Sequence, residues 1–417
     1  MSLLGKADEP IIMSLLDVDQ YKGTMGQFIH NRYSDVPVRF GFTNRTKSVC
    51  LAREIDQGQF REELQHARNL RAKSEEVDFL RQQRVNGKRV FKDPYLDFFG
   101  SLALPPFELE YWRDQIRLEF PGRWDEVSHW ETISLSIANE LYYRAQLKKM
   151  GVSKEDAVIA EGKKRLFSKI ELLWRYPEIH FMEFGTRRRF ARAWQEYVVR
   201  VFIDKLPKQL LGTSNMLLAM KYGITPMGTN AHELQMILAG INSETDEELS
   251  VSQGKLLQAW WDEYGEEFSI VLPDTFGSEC VFRTMTREQA NGWKGFRHDS
   301  GDPIKFGERV IRFYQDLEID PRRKLIVFSD GLDVATMIKI ITHFRGRIQV
   351  TFGWGTNATN DLGFKPLSLV TKAIEAMGRK LVKLSDNIEK AIGPRDEVER
   401  YKRVFGYDCH FSETPVY

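Results

Sequence analysis

Beyond residue 180 the chain repeats one pattern: a short apolar run that ends on small or polar residues. The runs are HFMEFGT (180–186), QLLGTSN (209–215), GITPMGT (223–229), FSIVLPD (268–274), GFRHD (295–299), KLIVFSD (324–330) and RIQVTFG (347–353). Brief apolar runs bounded by turn residues read as buried strands. Helical patterns lie between them, over 188–202, 254–264, 303–317 and 334–344. The third of these has Asp302 at the N-cap position and Pro303 at the first helical position, both favoured starts. Strand, loop and helix in succession predict a mainly parallel sheet with crossover helices. Every run delivers its polar residues at its C-terminal end, so the expected form is a barrel-like parallel α/β domain with function on that rim. An open doubly wound sheet is the alternative.

The preceding segment has another texture. PVRFGFTNRTKSV (37–49) alternates like a strand, and IRLEF (116–120) reads as a second. Residues 54–84 are charge-dense, with Phe60, Leu64, Leu70, Val77 and Leu80 at roughly helical spacing, which predicts a surface helix. A further helix over 153–174 sets Leu166, Phe167, Ile170 and Leu173 on one face. The predicted organisation is an α+β N-terminal domain over 1–145, completed by 375–417, and an α/β catalytic domain over 146–374.

Composition narrows the function classes. Sixty basic against 59 acidic residues leave a net charge of +1, which gives no electrostatic basis for binding nucleic acid or a membrane surface. No apolar stretch approaches the roughly 20 residues of a membrane-spanning helix. Cys50, Cys280 and Cys409 are scattered and odd in number, so neither a disulfide framework nor a cysteine metal site is expected. With no long apolar run in MSLLGKADEPII, the expected location is the cytoplasm.

Candidate chemistry sits at the run ends. In GFRHDSGDP (295–303), Arg297, Asp299 and the Ser-Gly turn can hold a polyhydroxyl or phosphorylated substrate. Asp302 alone is fully explained as an N-cap. In PMGTNAHE (226–233), His232 beside Glu233 could serve as a general base, a metal ligand or a nucleophile toward phosphorus. The zinc-protease pattern HExxH is absent. In FGTRRRF (184–190) at most one or two of the three arginines can address a common site, and a solvated face is expected for the others. Gly353 to Ala358 fits the loose dinucleotide fingerprint G-x-G-x-x-A. The turn-rich sequence that follows, with Pro366, opens no helix of the required kind, so a phosphate-contacting turn survives and a dinucleotide fold does not. No P-loop sequence exists.

In order along the chain, SLLDVDQYKGTM (14–25), FGTRRRF, LGTSNMLLAMKYGITPMGTNAHE (211–233), LPDTFG, GFRHDSGDP, VFSDGLD, FGWGTN and KLSDN (383–387) resemble the nicotinate phosphoribosyltransferases, type II phosphoribosyltransferases of NAD salvage. The resemblance implies transfer of a phosphoribosyl group from phosphoribosyl pyrophosphate to nicotinate, giving nicotinate mononucleotide and pyrophosphate. It also implies coupling to ATP hydrolysis through a phosphohistidine at His232, supported by Glu233. Asp274 and Asp299 match carboxylates around the ribose and a Mg²⁺-bound diphosphate, with no direct protein ligand to the metal expected. Nicotinate is expected between Phe184 and Tyr21, the tyrosine coming from a second subunit of a homodimer with shared sites. Arg187, Thr229 and Arg297 match its carboxylate partners. Asp330, Gly331, Gly353, Gly355 and Thr356 match the phosphate loops. Leu234 and Trp354 depart from the pattern, at positions that bear on packing. The nearest rival is a nicotinamide phosphoribosyltransferase; a non-enzymatic sugar-phosphate binding module is the rival of another class.

Overall fold

Val38, Phe40 and Phe42 bury one face of the strand Pro37–Asn44, and Leu118 and Phe120 do the same for Gln115–Arg123. The two pair antiparallel from Pro37 opposite Arg123 to Gly41 opposite Glu119. A tight turn with Arg113 at φ 53° returns the chain from Glu108–Trp112 to the same partner. The computed structural model describes residues 9–151, 154–409 and 411–413. Both strands were legible from their alternation. The charged segment 54–84 is two helices, Gln57–Asn69 and Ser74–Gln82, where one was predicted. Leu70 turns to extended backbone, and the Glu76 carboxylate accepts from the Lys73 N–H to start a new helix.

By packing, the described chain groups into two units. One takes residues up to Gly228 together with Trp354–Lys372; the other takes Thr229–Gly353 and the stretch from Ala373. Sequence texture divides the chain at 145/146 and 374/375, because it follows the change from α+β to α/β patterning and not the packing.

In the first unit the helices Gln20–Tyr33 and Trp130–Met150 are buried on all sides over their first ten or more residues. Buried polar groups pair within the unit, as where Lys22 of one helix meets Glu131 of the other at 2.8 Å. The parallel pair Phe181–Glu183 and Leu210–Thr213 lies in the same unit. The second unit holds Ile270–Val271, Gly295–His298, Leu325–Phe328 and the strand beginning at Gln349 as parallel neighbours. The crossover helices Pro303–Asp316 and Val334–Phe344 fall where predicted, and Asp302 caps the first by accepting from Ile304 N–H (2.8 Å) and Lys305 N–H (2.9 Å). The fold is therefore mixed α/β, with parallel strands plus a separate antiparallel sheet.

One predicted strand is corrected. GITPMGT forms a loop with a single bridge, Thr213 to Pro226. Pro226 has no N–H to extend a ladder.

The arginine run also differs from expectation. Arg189 is 1% exposed and grips Asp17 with both terminal nitrogens, at 2.7 and 2.8 Å. Asn215 and Gln195 complete the polar shell. Arg189 is thus a buried structural cation, since only a planar fork matches a carboxylate this way out of water. Removing the carboxylate by Asp17→Ala leaves a buried charge unpaired, and should cost about 3–5 kcal/mol in a urea unfolding titration. A loss below about 1 kcal/mol would show the pair to be dispensable.

Candidate active site

Register sets the first half of the site. Leu325 lies opposite Gly295 and Phe328 opposite His298, so these two strands end level. Ser329 follows one and Asp299 the other. The Ser329 hydroxyl donates to an Asp299 carboxylate oxygen at 3.1 Å, and Arg297 donates to the other residue's hydroxyl at 2.8 Å and to Asp299 at 2.8 Å. Asp274 enters from the short turn after Ile270–Val271. His232 is the first residue of the helix His232–Ile241.

These elements bring His232, Asp274 and Asp299 together within the second unit. The ring's Nδ1 is 2.8 Å from the Thr275 hydroxyl and its Nε2 is 2.9 Å from Asp299 Oδ2. Asp274 Oδ1 stands 3.7 Å from Nε2. The two ring nitrogens thus face Thr275 and Asp299, and Glu233, next in sequence, is buried. Burial, and then the charge of Lys383, push the His232 pKa down to about 4 against the pull of the carboxylates. Burial would raise Asp299 and Asp274. Arg297 and the His232 hydrogen bond outweigh it for Asp299, holding that carboxyl well below its usual range, and His232 and Lys383 lower Asp274.

Groups that the sequence reading left unassigned complete this half. Ser300 donates to Asp274 Oδ2 at 2.6 Å, and Lys383 stands 3.6 Å from the same oxygen. Lys390 pairs with Asp330 at 2.7 Å and donates to the Asp299 carbonyl at 3.0 Å. The Tyr407 hydroxyl donates to the Ser385 carbonyl at 2.7 Å, and its ring packs where a Cβ on Gly277 would come within 2.8 Å. Lys383 and Ser385 stood in the KLSDN string, which was the only signal for them.

The phosphate-loop residues divide between the units. Asp330, Gly331 (φ 58°) and Gly353 belong to the second, with Gly353 close against Ser329; Thr229 lies half-buried three residues before His232. Gly355 and Thr356 belong to the first, where a Cβ on Gly355 would sit 3.1 Å from the Phe184 carbonyl.

The first unit holds an aromatic pair. Tyr21 and Phe184 face one another with centroids 6.3 Å apart and planes 19° from parallel. Both rings of this pair belong to one chain. The helix that Tyr21 heads is tied in place by the Gln20 N–H donating to the Ser214 carbonyl (2.6 Å). Arg187 lies over the Tyr21 ring and reaches Asp19 at 3.4 Å and Glu131 at 3.5 Å. Glu131 also meets Lys22 at 2.8 Å and Lys372 at 3.1 Å. Burial would raise its pKa, but these three cations hold it well below the carboxylate range. Trp354 and Leu234 are core residues; Trp354 stacks on Phe202, which confirms their bearing on packing.

A divalent cation has one opening among the described residues. His232, Asp274 and Asp299 turn ligand atoms to within 4.8 Å of one another. Both Asp299 oxygens are engaged, whereas Asp274 Oδ1 is buried without a hydrogen-bond partner. One open carboxylate oxygen suits Mg²⁺, which prefers oxygen and keeps several waters.

Parallel strands that end level, polar loops on that rim and a carboxylate–histidine cluster define an α/β group-transfer enzyme. Comparison with known proteins names it more closely. The model of the nicotinate phosphoribosyltransferase (NAPRTase) family matches residues 179–409, and that of the family's N-terminal domain matches 16–139. The structure is similar to a nicotinate phosphoribosyltransferase from Vibrio cholerae, with a TM-score of 0.85 and 31% identity over 96% of this chain and 95% of that one. It is similar likewise to one from Porphyromonas gingivalis, with a TM-score of 0.84 and 30% identity over 95% of this chain and 100% of that one. The chain belongs to the nicotinate phosphoribosyltransferase family.

The histidine yields a pH prediction. An unfolded histidine titrates near ~6.5, so with a folded value of about 4 the native state binds fewer protons between those limits. Stability from His232 is therefore present above that window and lost as pH falls through it. Nitrogen NMR of labelled histidine should find this ring neutral at pH 6; a midpoint above 6 would contradict the buried, neutral assignment.

Proposed function

We propose that the protein transfers the phosphoribosyl group of phosphoribosyl pyrophosphate to nicotinate, coupled to ATP hydrolysis through a transient phosphohistidine at His232. The observation that carries the coupling is the ring: buried, neutral and seated between Thr275 and Asp299. A phosphoryl acceptor needs a neutral nitrogen whose partner nitrogen is oriented. In that step the bond from the γ-phosphorus to the ADP oxygen breaks as a nitrogen–phosphorus bond forms on His232. Water later frees the ring and releases orthophosphate. With no P-loop in the sequence, ATP would use the subsites of the pyrophosphate and ribose.

In the glycosyl step, the bond from ribose C1 to pyrophosphate breaks and a bond from C1 to the pyridine nitrogen forms. Positive charge develops on the sugar, and Asp274 and Asp299 are the ionised carboxylates available to meet it. Asp274 Oδ1, with waters, would hold Mg²⁺, which supplies charge stabilisation for the leaving pyrophosphate. Backbone N–H groups at Asp330, Gly331, Gly353, Gly355 and Thr356 would take the phosphate. Tyr21 and Phe184 would stack the nicotinate ring. An inserted ring needs about 7 Å, two contacts of ~3.5 Å, so the 6.3 Å gap must open slightly. Arg187, Arg297 and Thr229 would address the carboxylate. A homodimer with shared sites, as the resemblance implies, is part of the proposal. Among the described residues no helix is long and apolar enough to cross a membrane, and three free cysteines suit a reducing cytoplasm, where we place the protein.

Charge supports nicotinate over nicotinamide. Around the aromatic pair, Lys22, Arg187 and Lys372 set three positive charges against the two carboxylates of Glu131 and Asp19. The acid brings the missing negative charge and the amide does not.

Two measurements test this reading. His232→Ala should abolish ATP hydrolysis linked to turnover while slow release of pyrophosphate continues; coupled hydrolysis that persists would remove His232 from its role. In steady state with phosphoribosyl pyrophosphate, Mg²⁺ and ATP, kcat/KM for nicotinate should exceed that for nicotinamide by at least about 100-fold, the range expected when a buried charge partner is lost. A preference for the amide would reverse the substrate assignment, and no nucleotide product from either would favour a binding module.

A further inference from the structure

We infer that Thr275 is a positioning residue for His232: its hydroxyl turns the ring so that Nε2 faces Asp274 and Asp299, and accepts or donates a hydrogen bond according to which nitrogen carries the proton. This inference rests on His232 being the phosphoryl acceptor.

The geometry begins with the backbone. Thr275 is 1% exposed, and its carbonyl accepts from the N–H groups of Leu384 at 2.8 Å and Ser385 at 3.3 Å. Its side chain is thus fixed by a braced turn. From there the hydroxyl meets Nδ1 at 2.8 Å, on the edge of the ring opposite the carboxylates. The Ser300 and Ser385 hydroxyls bond Asp274 and one another instead, and that of Ser329 bonds Asp299.

Proton accounting shows what the hydroxyl contributes. An ionised Asp299 only accepts, so its bond to Nε2 requires the proton on Nε2. Nδ1 then holds a lone pair, and the Thr275 O–H donates to it. Attack through Nε2 requires the other tautomer, with the proton on Nδ1 and an acceptor beside it. A carboxylate or a carbonyl could serve only that second state, and an ammonium only the first. A hydroxyl serves both. Removing it leaves Nδ1 buried against carbon, which strands the proton on Nε2 where Asp299 holds it and where no lone pair is left to attack.

The test uses the full-length protein and two variants. Thr275→Val keeps the shape and removes the hydroxyl; Thr275→Ser keeps the hydroxyl and removes the methyl. Acid-labile phosphoryl incorporation from γ-labelled ATP and the coupled kcat should fall at least about 10-fold in the valine variant, the usual cost of losing an orienting partner. The KM for nicotinate should stay within about twofold, and the serine variant should retain phosphoryl incorporation within about threefold. Wild-type incorporation in Thr275→Val would overturn the inference, and so would equal losses in both variants, since those report packing. If the wild-type protein itself takes up no acid-labile phosphoryl group, the phosphohistidine reading fails separately. Histidine nitrogen NMR then still decides the role of Thr275: a His232 signal unchanged by Thr275→Val would sink it.

Discussion

Two carboxylates, the buried Asp274 and the part-buried Asp299, are held ionised, and the groups around them in the second unit are arranged to meet that demand. An uncompensated buried carboxylate would simply take up a proton. Here Arg297, Lys383 and Lys390 come from three separate stretches, and Ser300 and Ser329 add hydroxyl donors. Arg297 lies on one of the two strands that end level, Ser300 and Ser329 just beyond their ends, and Lys383 is held by its bridge to Ile392. The neutral ring of His232 is a consequence: Lys383 and burial both disfavour its protonation, even with two anions beside it. Fold, charge and the state of the histidine are therefore one problem with one solution.

The aromatic half solves a related problem with the opposite sign of surplus. Glu131 lies at the centre of Lys22, Arg187 and Lys372, and Tyr21 donates to it at 3.4 Å. One carboxylate cannot neutralise three cations; Asp19 takes part of the excess and is itself braced by Ser214 at 2.7 Å. Such a cluster costs free energy to hold without a ligand, because desolvated like charges repel. Under the function proposed above, the carboxylate of nicotinate would offset that cost, so the same surplus of positive charge would sharpen the choice of ligand.

How much of this was legible in the sequence depended on range. Asp302 could be read as a cap because capping is a rule of adjacent residues, and the bonds to Ile304 and Lys305 follow it. Arg297 and Asp299 were visible because they sit at a strand end, and His232 because it opens a helix, all in dense polar strings. Glu131 was not: its partners Lys22 and Lys372 are 109 and 241 residues away, and locally it is only an acidic residue in the first turn of a helix, a commonplace position. Arg189 was misread for the same reason, since Asp17 is 172 residues distant and adjacency to two other arginines is all that the local sequence displays. Thr275 lay in a quoted string yet carried no signal, because a hydroxyl declares its role only through what it faces.

The misread strand at 223–229 shows why a local rule can fail for a functional reason. Its apolar run satisfies the strand pattern, but two close approaches decide its path. A Cβ at Gly212 would lie 2.1 Å from the Thr225 carbonyl, so the loop presses against backbone where a ladder partner would need side-chain room. A Cβ at Gly228, where φ is +147°, would lie 3.1 Å from the Tyr21 nitrogen. The loop thus leaves the sheet in order to lie against the start of the helix that carries Tyr21, and glycine at 228 is what lets the two backbones meet. A regular strand there would hold its own hydrogen bonds better and push that helix, with its ring, away from Phe184. The irregularity is part of how the aromatic pair is set, and no periodicity in the sequence could have announced it.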